Sequence, residues 1–317
     1  MKSVILALLV SVTTLAIADP LVIAHRGASG YLPEHTLDAY RLAIEQGADF
    51  IEPDLVVTRD GVLVCRHDTY LGTTTNVATK PGFANRKRSV GNRDDWFVSD
   101  FTLAELATLR ARQPFATRDQ SHNDKLAIPT FQQVIDLVLA HEAATGKRIG
   151  LYPELKAPPF FREAGHDTGA LLLAQLEVNN LATARDRVYI QSFDAETLRQ
   201  LRPETGLPLV MLVRPKSREA LSEPNVPLAD VATFADVLGA HKFMVIGPGG
   251  QPTDLVARAR QFNLEVHTWT YRNDRPGPSF ADLESELRAA LAAGIDGFFT
   301  DHPDVGRRVT DRYRSVQ

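Results

Sequence analysis

The chain has 317 residues, 44% hydrophobic and 23% charged, a balance that buries a large core and excludes disorder, collagen and coiled coil. Its formal charge of -4 offers no basic field for nucleic acid or an anionic membrane, so the expected partner is a small molecule. The one cysteine, Cys65, can form neither an internal disulfide nor a thiolate metal site, leaving oxygen and nitrogen as ligands.

In chain order, Lys2, an apolar run from Val4 to Val10, a second from Val12 to Ile17, and Ala16-Ile17-Ala18 read as a secretory signal cleaved between Ala18 and Asp19. The run is shorter than a membrane span and is broken by Ser11, Thr13 and Thr14, so stable membrane insertion is not expected. A periplasmic or secreted protein follows, its mature part, residues 19–317, forming a single domain.

After Pro20, short apolar strands alternate with amphipathic helices. The strands are expected at Leu21 to Ala24, Phe50 to Val57, Ile149 to Leu155, Val188 to Phe193, Leu209 to Val213, Phe243 to Ile246, Val266 to Thr270 and Gly297 to Thr300. Helical patterns lie between them at Thr36 to Gln46, Thr130 to Ala144, Ala170 to Asn179, Ala195 to Leu201, Thr253 to Asn263 and Leu283 to Ala293. Eight strands in βα alternation predict a closed (β/α)₈ TIM barrel.

Two features interrupt the alternation. The runs flanking Asp60-Gly61 predict a β-hairpin, and a turn centred between those two residues sets Asp54 opposite His67. Residues 70–126 then form a long polar insert, expected to act as a lid or binding loop, in which Thr102-Leu-Ala-Glu105 is a capping box opening a helix to Leu109. Its Arg86-Lys87-Arg88 run reads as a solvated face.

A barrel of this type places its chemistry at the carboxyl ends of the strands. There the sequence offers His25-Arg26-Gly27, Glu52-Pro53-Asp54, Glu154-Leu155-Lys156, Gln191-Ser192-Phe193, His267 with Trp269, and Thr300-Asp301-His302. Glu52 and Asp54 are two apart on a strand and share a face, as do Glu154 and Lys156. Three carboxylates converging on one mouth need a cation between them, and an oxygen-only set favours Ca²⁺ or Mg²⁺ over Zn²⁺. Neutralisation by Arg26 and Lys156 alone, as an ion-pair network, is the competing arrangement.

Taken together, His25-Arg26-Gly27, Pro33-Glu34, Glu52-x-Asp54, Asp60-Gly61, His67-Asp68, Glu154-x-Lys156, Gln191-Ser192-Phe193 and Asp296-Gly297-x-x-Thr300-Asp301 resemble, in order and spacing, the glycerophosphodiester phosphodiesterase family of the periplasmic bacterial type. The resemblance spans residues 21–305. It implies a (β/α)₈ barrel, one divalent cation, usually Ca²⁺, and hydrolysis of small glycerophosphodiesters to sn-glycerol 3-phosphate and an alcohol. Residue by residue it makes Glu52, Asp54 and Glu154 metal ligands, and His25 and His67 the acid/base pair. Arg26 and Lys156 would bind phosphoryl oxygens, and Glu34, Gln191 and Trp269 would shape the substrate pocket. The family's cyclic phosphate mechanism uses a substrate hydroxyl as nucleophile, which leaves Ser192 structural. His35 departs from the pattern, standing where many relatives carry Asn. Two other functions fit the same barrel: a phospholipase D-like enzyme entering a bilayer through exposed aromatics such as Trp96-Phe97 or Phe160-Phe161, and a secreted binding protein without activity.

Overall fold

The structure, a computed structural model, describes residues 19–185 and 187–315. The expected signal segment lies outside the described residues. Eight strand positions close into a (β/α)₈ barrel: Leu21–Ala24, Phe50–Ile51 with Asp54–Val57, Gly150–Leu151 with Glu154–Leu155, Ile190–Ser192, Leu209–Val213, Val237–His241, Glu265–Tyr271 and Gly297–Thr300. The first pairs in parallel with both the second and the last, Ala24 lying between Ile51 and Thr300, which closes the cylinder.

The second and third strands are each broken at a proline, Pro53 and Pro153, and the breaks face one another. Register is constant across them, Phe50 against Gly150 and Asp54 against Glu154. A proline has no N–H to give, but its carbonyl still accepts: Pro53 O takes the Glu154 N–H at 3.0 Å, and Pro153 O takes the Gln191 N–H at 2.9 Å. The ladder therefore survives, and Asp54, Glu154 and Gln191 stand side by side in one register row.

Two sequence expectations need correction. The sixth strand is Val237–His241, not Phe243 to Ile246, whose first residues form a 3₁₀ turn, Lys242–Met244. Gly239 weakens the strand signal of the true segment, yet a side chain there would come within 2.6 Å of Leu212, so close strand packing requires the glycine. The hairpin is the second case. Leu55 pairs with Cys65 and Val57 with Leu63, and the Arg66 N–H bonds Asp54 O at 2.9 Å, so Arg66, not His67, is opposite Asp54. The turn holds three residues, Arg59 to Gly61, with Gly61 at φ 81°, as a type I turn closed by a left-handed glycine requires.

Ile23, Phe50, Tyr152, Val210, Val237 and Phe299 fill the barrel interior, and a larger apolar layer packs the sheet against the helices. Three helices beyond the sequence reading complete the shell: Pro158–Glu163, Leu228–Val231 and the C-terminal Pro303–Arg314. In the insert the capping box is present but opens only a short helix, Leu103–Leu106. Arg86 pairs with Glu105, Lys87 with Asp94 and Arg88 with Asp100, so the basic run is matched by the insert's own acids.

Candidate active site

The carboxyl ends of the strands enclose a cavity of about 350 Å³, lined on one side by His25, Arg26, Glu52, His67, Glu154, Lys156 and Gln191. On the other side stand Phe193, Arg214, His241, Trp269 and Arg272. Of the residues singled out from sequence, Asp54 and Glu34 lie just behind the wall, both buried. His267 is not at the mouth: it sits in the barrel interior, fully buried, its Nδ1 2.7 Å from the Tyr152 hydroxyl.

Glu52, Asp54 and Glu154 each present a carboxylate oxygen, all within 4.8 Å of one another and all buried. Three negative charges so placed repel by about 3 to 4 kcal/mol per pair at an effective dielectric near 20. Burial, then Asp54 and Glu154, drive the Glu52 carboxyl well above its usual range, and Glu154 is raised for the same reasons against the pull of Lys156. The cationic side chains present resolve this only in part: against burial, Lys156, His35 and Arg26 hold Asp54 well below its usual range, while Glu52 and Glu154 stay raised. Lys156 Nζ is 2.7 Å from Glu154 Oε1, but the Arg26 guanidinium is turned to Glu34 Oε2 at 2.8 Å and reaches Asp54 only at 3.6 Å. Glu52 receives neutral donors, Gln191 Nε2 at 2.7 Å and the Arg26 N–H at 3.1 Å. Asp54 Oδ1 is buried with no hydrogen-bond partner. An orphaned carboxylate oxygen beside two further carboxylates is what a hard cation with oxygen ligands would satisfy, so the residues fit such an ion.

The two histidines are built alike. His25 Nδ1 lies 2.6 Å from Asp301 Oδ1, and His67 Nδ1 lies 2.8 Å from Asp68 Oδ1. Each carboxylate accepts a hydrogen bond from Nδ1–H, leaving Nε2 as the free ring nitrogen. Burial and then Arg26 push His25 down to about 3 against the attraction of Asp301, and the same two causes lower His67. Both shifts favour the neutral imidazole, and a phosphate diester beside the rings would oppose them.

The loop after the first strand is shaped for this. Arg26 and His35 have positive φ, 61° and 55°, a strained conformation for residues with side chains. Gly27, at φ 84°, packs so tightly that a Cβ would come within 2.8 Å of the Ala39 backbone. His35 bridges the Tyr40 hydroxyl at 2.8 Å and Asp54 Oδ2 at 3.0 Å, so the ring at this departing position holds a carboxylate of the acidic triad. Glu34 clamps Arg26 and does not itself face the cavity. Ser192 Oγ donates to Leu155 O at 3.0 Å and is fully buried, a strand-to-strand tie. Trp269 donates Nε1–H to Gly239 O and meets Phe193 edge-on at 5.4 Å, forming an aromatic wall.

Sequence reasoning left Asp301 and Asp68 without roles. The adjacency in His67-Asp68 signalled the second pair; the first joins residues 276 positions apart and has no local signal. Trp96 and Phe160 are half-buried and Phe97 and Phe161 buried, Phe97 and Phe160 lying 5.9 Å apart, so these aromatics are packing residues. No helix among the described residues is long and apolar enough to cross a membrane.

Comparison with known proteins agrees with this architecture. A curated glycerophosphodiester phosphodiesterase of Haemophilus influenzae is 34% identical over 91% of this chain and 89% of its own, and one of Arabidopsis thaliana is 36% identical over 89% and 83%. Among solved structures, a putative glycerophosphoryl diester phosphodiesterase of Silicibacter pomeroyi superposes with a TM-score of 0.72 over 94% of this chain and 95% of that one at 23% identity. A phosphodiesterase of Oleispira antarctica, solved in complex with the product sn-glycerol-3-phosphate, gives 0.65 over 92% and 97% at 23% identity. These two likenesses speak to fold; the family is carried by sequence, since the Glycerophosphoryl diester phosphodiesterase family matches residues 25–305, and the chain belongs to that family.

Proposed function

We propose that the protein hydrolyses glycerophosphodiesters, the deacylated products of phospholipids, to sn-glycerol 3-phosphate and an alcohol. One observation carries this reading: two His–Asp pairs and an acidic triad surround a single cavity of about 350 Å³, a size for a small molecule. The curated relatives named for this activity, and the neighbour holding sn-glycerol-3-phosphate, support it.

Glu52, Asp54 and Glu154 would hold one divalent cation, Ca²⁺ by the oxygen donor set and the family, with Mg²⁺ the alternative. When bound, such an ion supplies positive charge to the phosphoryl oxygens as negative charge develops. Arg26 and Lys156 add to that stabilisation from the cavity wall. The family resemblance implies that the substrate's own glycerol 2-hydroxyl serves as nucleophile, and a cavity wall with neither Ser nor Cys among its described residues is compatible with that. One histidine takes the hydroxyl proton through Nε2 while the other donates a proton to the departing alcohol oxygen, giving a cyclic phosphate. Water then opens the ring with the two roles exchanged. Asp301 and Asp68 keep the rings in the tautomer this needs.

The packed state of the aromatics in Trp96-Phe97 and Phe160-Phe161 counts against the bilayer-entering alternative. The apolar run ending at Ala18 supports export of the protein to the periplasm or medium. Assaying the purified protein on glycerophosphocholine and on intact phosphatidylcholine vesicles tests the proposal. Release of sn-glycerol 3-phosphate and choline from the first, with little turnover of the second, is expected; turnover confined to the vesicles would overturn it.

A further inference from the structure

The insert does not hang free over the barrel mouth. Gln113 Nε2 donates to Ser29 O at 3.0 Å, and Arg118 Nη1 donates to the same carbonyl at 3.0 Å. Ser29 in turn donates its hydroxyl to His25 O at 2.8 Å, so the insert grips the turn that carries the histidine.

Arg118 goes further than a tie of backbone to barrel. Its Nη2 reaches Asp301 Oδ2 at 2.6 Å, the carboxylate whose other oxygen holds His25 Nδ1. Arg118 and Asp301 side chains are only 4% and 2% exposed, so this is a dry, directional contact. The guanidinium plane is itself fixed: Asp274 takes Nε at 2.8 Å and Nη2 at 3.0 Å, and the group lies 4.4 Å over the Phe115 ring. Arg272 also donates to Asp301 Oδ2, at 2.8 Å, but it comes from the cavity wall and is more exposed. With Oδ2 saturated by two arginines, Oδ1 is the oxygen left for the imidazole.

We propose that Arg118, delivered by the insert, is a positioning residue for His25: it fixes the rotation of the Asp301 carboxylate, and through it the ring that faces the reacting phosphate. The inference rests on the reading of His25 as a proton-transfer group. On this account the insert is a strap completing the active site from outside the barrel, which explains why a loop far in sequence from both His25 and Asp301 spends a buried charge on them. A purely architectural role would use such a charge no differently from Gln113, which bonds backbone alone.

Steady-state kinetics on glycerophosphocholine with Ca²⁺, together with thermal melting, separate the two. Arg118→Ala should lower kcat by roughly 10-fold to 100-fold with KM changed less than about twofold, the range seen when a group orienting a site ligand is removed. Arg118→Lys, which keeps a cation at the carboxylate, should recover much of that loss and serves if the alanine variant folds poorly. In an Asp301→Asn background either change at Arg118 should cost no more than about twofold further, because the contact it protects is gone. Arg112→Ala, which breaks only the exposed pair with Asp124 in the same insert, should leave kcat unchanged. Full kcat in folded Arg118→Ala and Arg118→Lys, or losses that multiply with Asp301→Asn, would overturn the positioning role. His25→Ala measured alongside keeps the layers apart: an active His25→Ala sinks the proton-transfer reading, whereas a dead one with unimpaired Arg118 variants sinks only the strap.

Discussion

At His67 the assignment can be tested by a side chain that keeps the hydrogen bond to Asp68 and loses the titrating nitrogen. His67→Asn should retain the fold, since the residue is a third exposed and makes its bond at the surface of the hairpin end. Turnover should fall by about 10²-fold to 10⁴-fold, the contribution of general acid/base catalysis. An enzyme keeping more than about a tenth of wild-type rate would reduce His67 to a structural cap. Gln191 gives a second test, because its amide holds Glu52 while its own oxygen has no partner. Gln191→Leu should weaken divalent-cation affinity by roughly 10-fold to 100-fold, read by Ca²⁺ titration calorimetry, and unaltered affinity would remove Glu52 from the ligand set. The acids and cations of this site were legible because alternation puts Glu52 with Asp54 and Glu154 with Lys156 on shared faces. Asp301, Arg118 and the contact of His35 with Asp54 were not, because each depends on long-range packing that spacing does not encode.

At the level of elements, the hairpin shows how a strong signal still misplaces a register. Asp-Gly marks a turn, but two-residue and three-residue loops share that dipeptide, and the choice shifts every pair by one. The result turns Arg66 inward toward Glu34 O, at 3.3 Å, and leaves His67 for the cavity. Gly61→Ala tests the turn: a Cβ there has room, its nearest neighbour being His166 at 3.8 Å, so the cost is the left-handed backbone alone. A loss of about 1 to 2 kcal/mol in unfolding free energy is expected with activity kept, and undiminished stability would favour the two-residue turn. The sixth strand was misplaced for a different reason, a glycine that local propensity counts against and packing demands.

Across the whole molecule, the (β/α)₈ barrel was readable because buried parallel strands are near-continuous apolar runs separated by helices with clear caps, such as Thr36 and Thr130. What the runs could not reveal is how the barrel interior handles a polar group. His267, enclosed with Tyr152, Tyr189 and Phe299, is pushed down to about 3 by burial. An unfolded histidine binds its proton near pH 6.5, so below that pH the unfolded chain holds a proton the folded one refuses. Stability from this site is therefore complete above about 6.5 and declines as pH falls toward 3. His267→Gln should shrink the drop in melting temperature between pH 7 and pH 4.5, whatever it does to the melting temperature itself. An equal drop in both proteins would mean the ring is charged or exposed in the native state.

The proposed hydrolysis depends on the acidic triad acting through a bound divalent cation. The direct measurement is glycerophosphocholine turnover by the purified protein after exhaustive chelation, followed by readdition of Ca²⁺ or Mg²⁺, with Asp54→Asn as companion. Activity should vanish on chelation and return with the metal, and Asp54→Asn, folded, should recover little of it at the same metal concentration. Full turnover by the chelated wild type would mean that the triad acts without a metal.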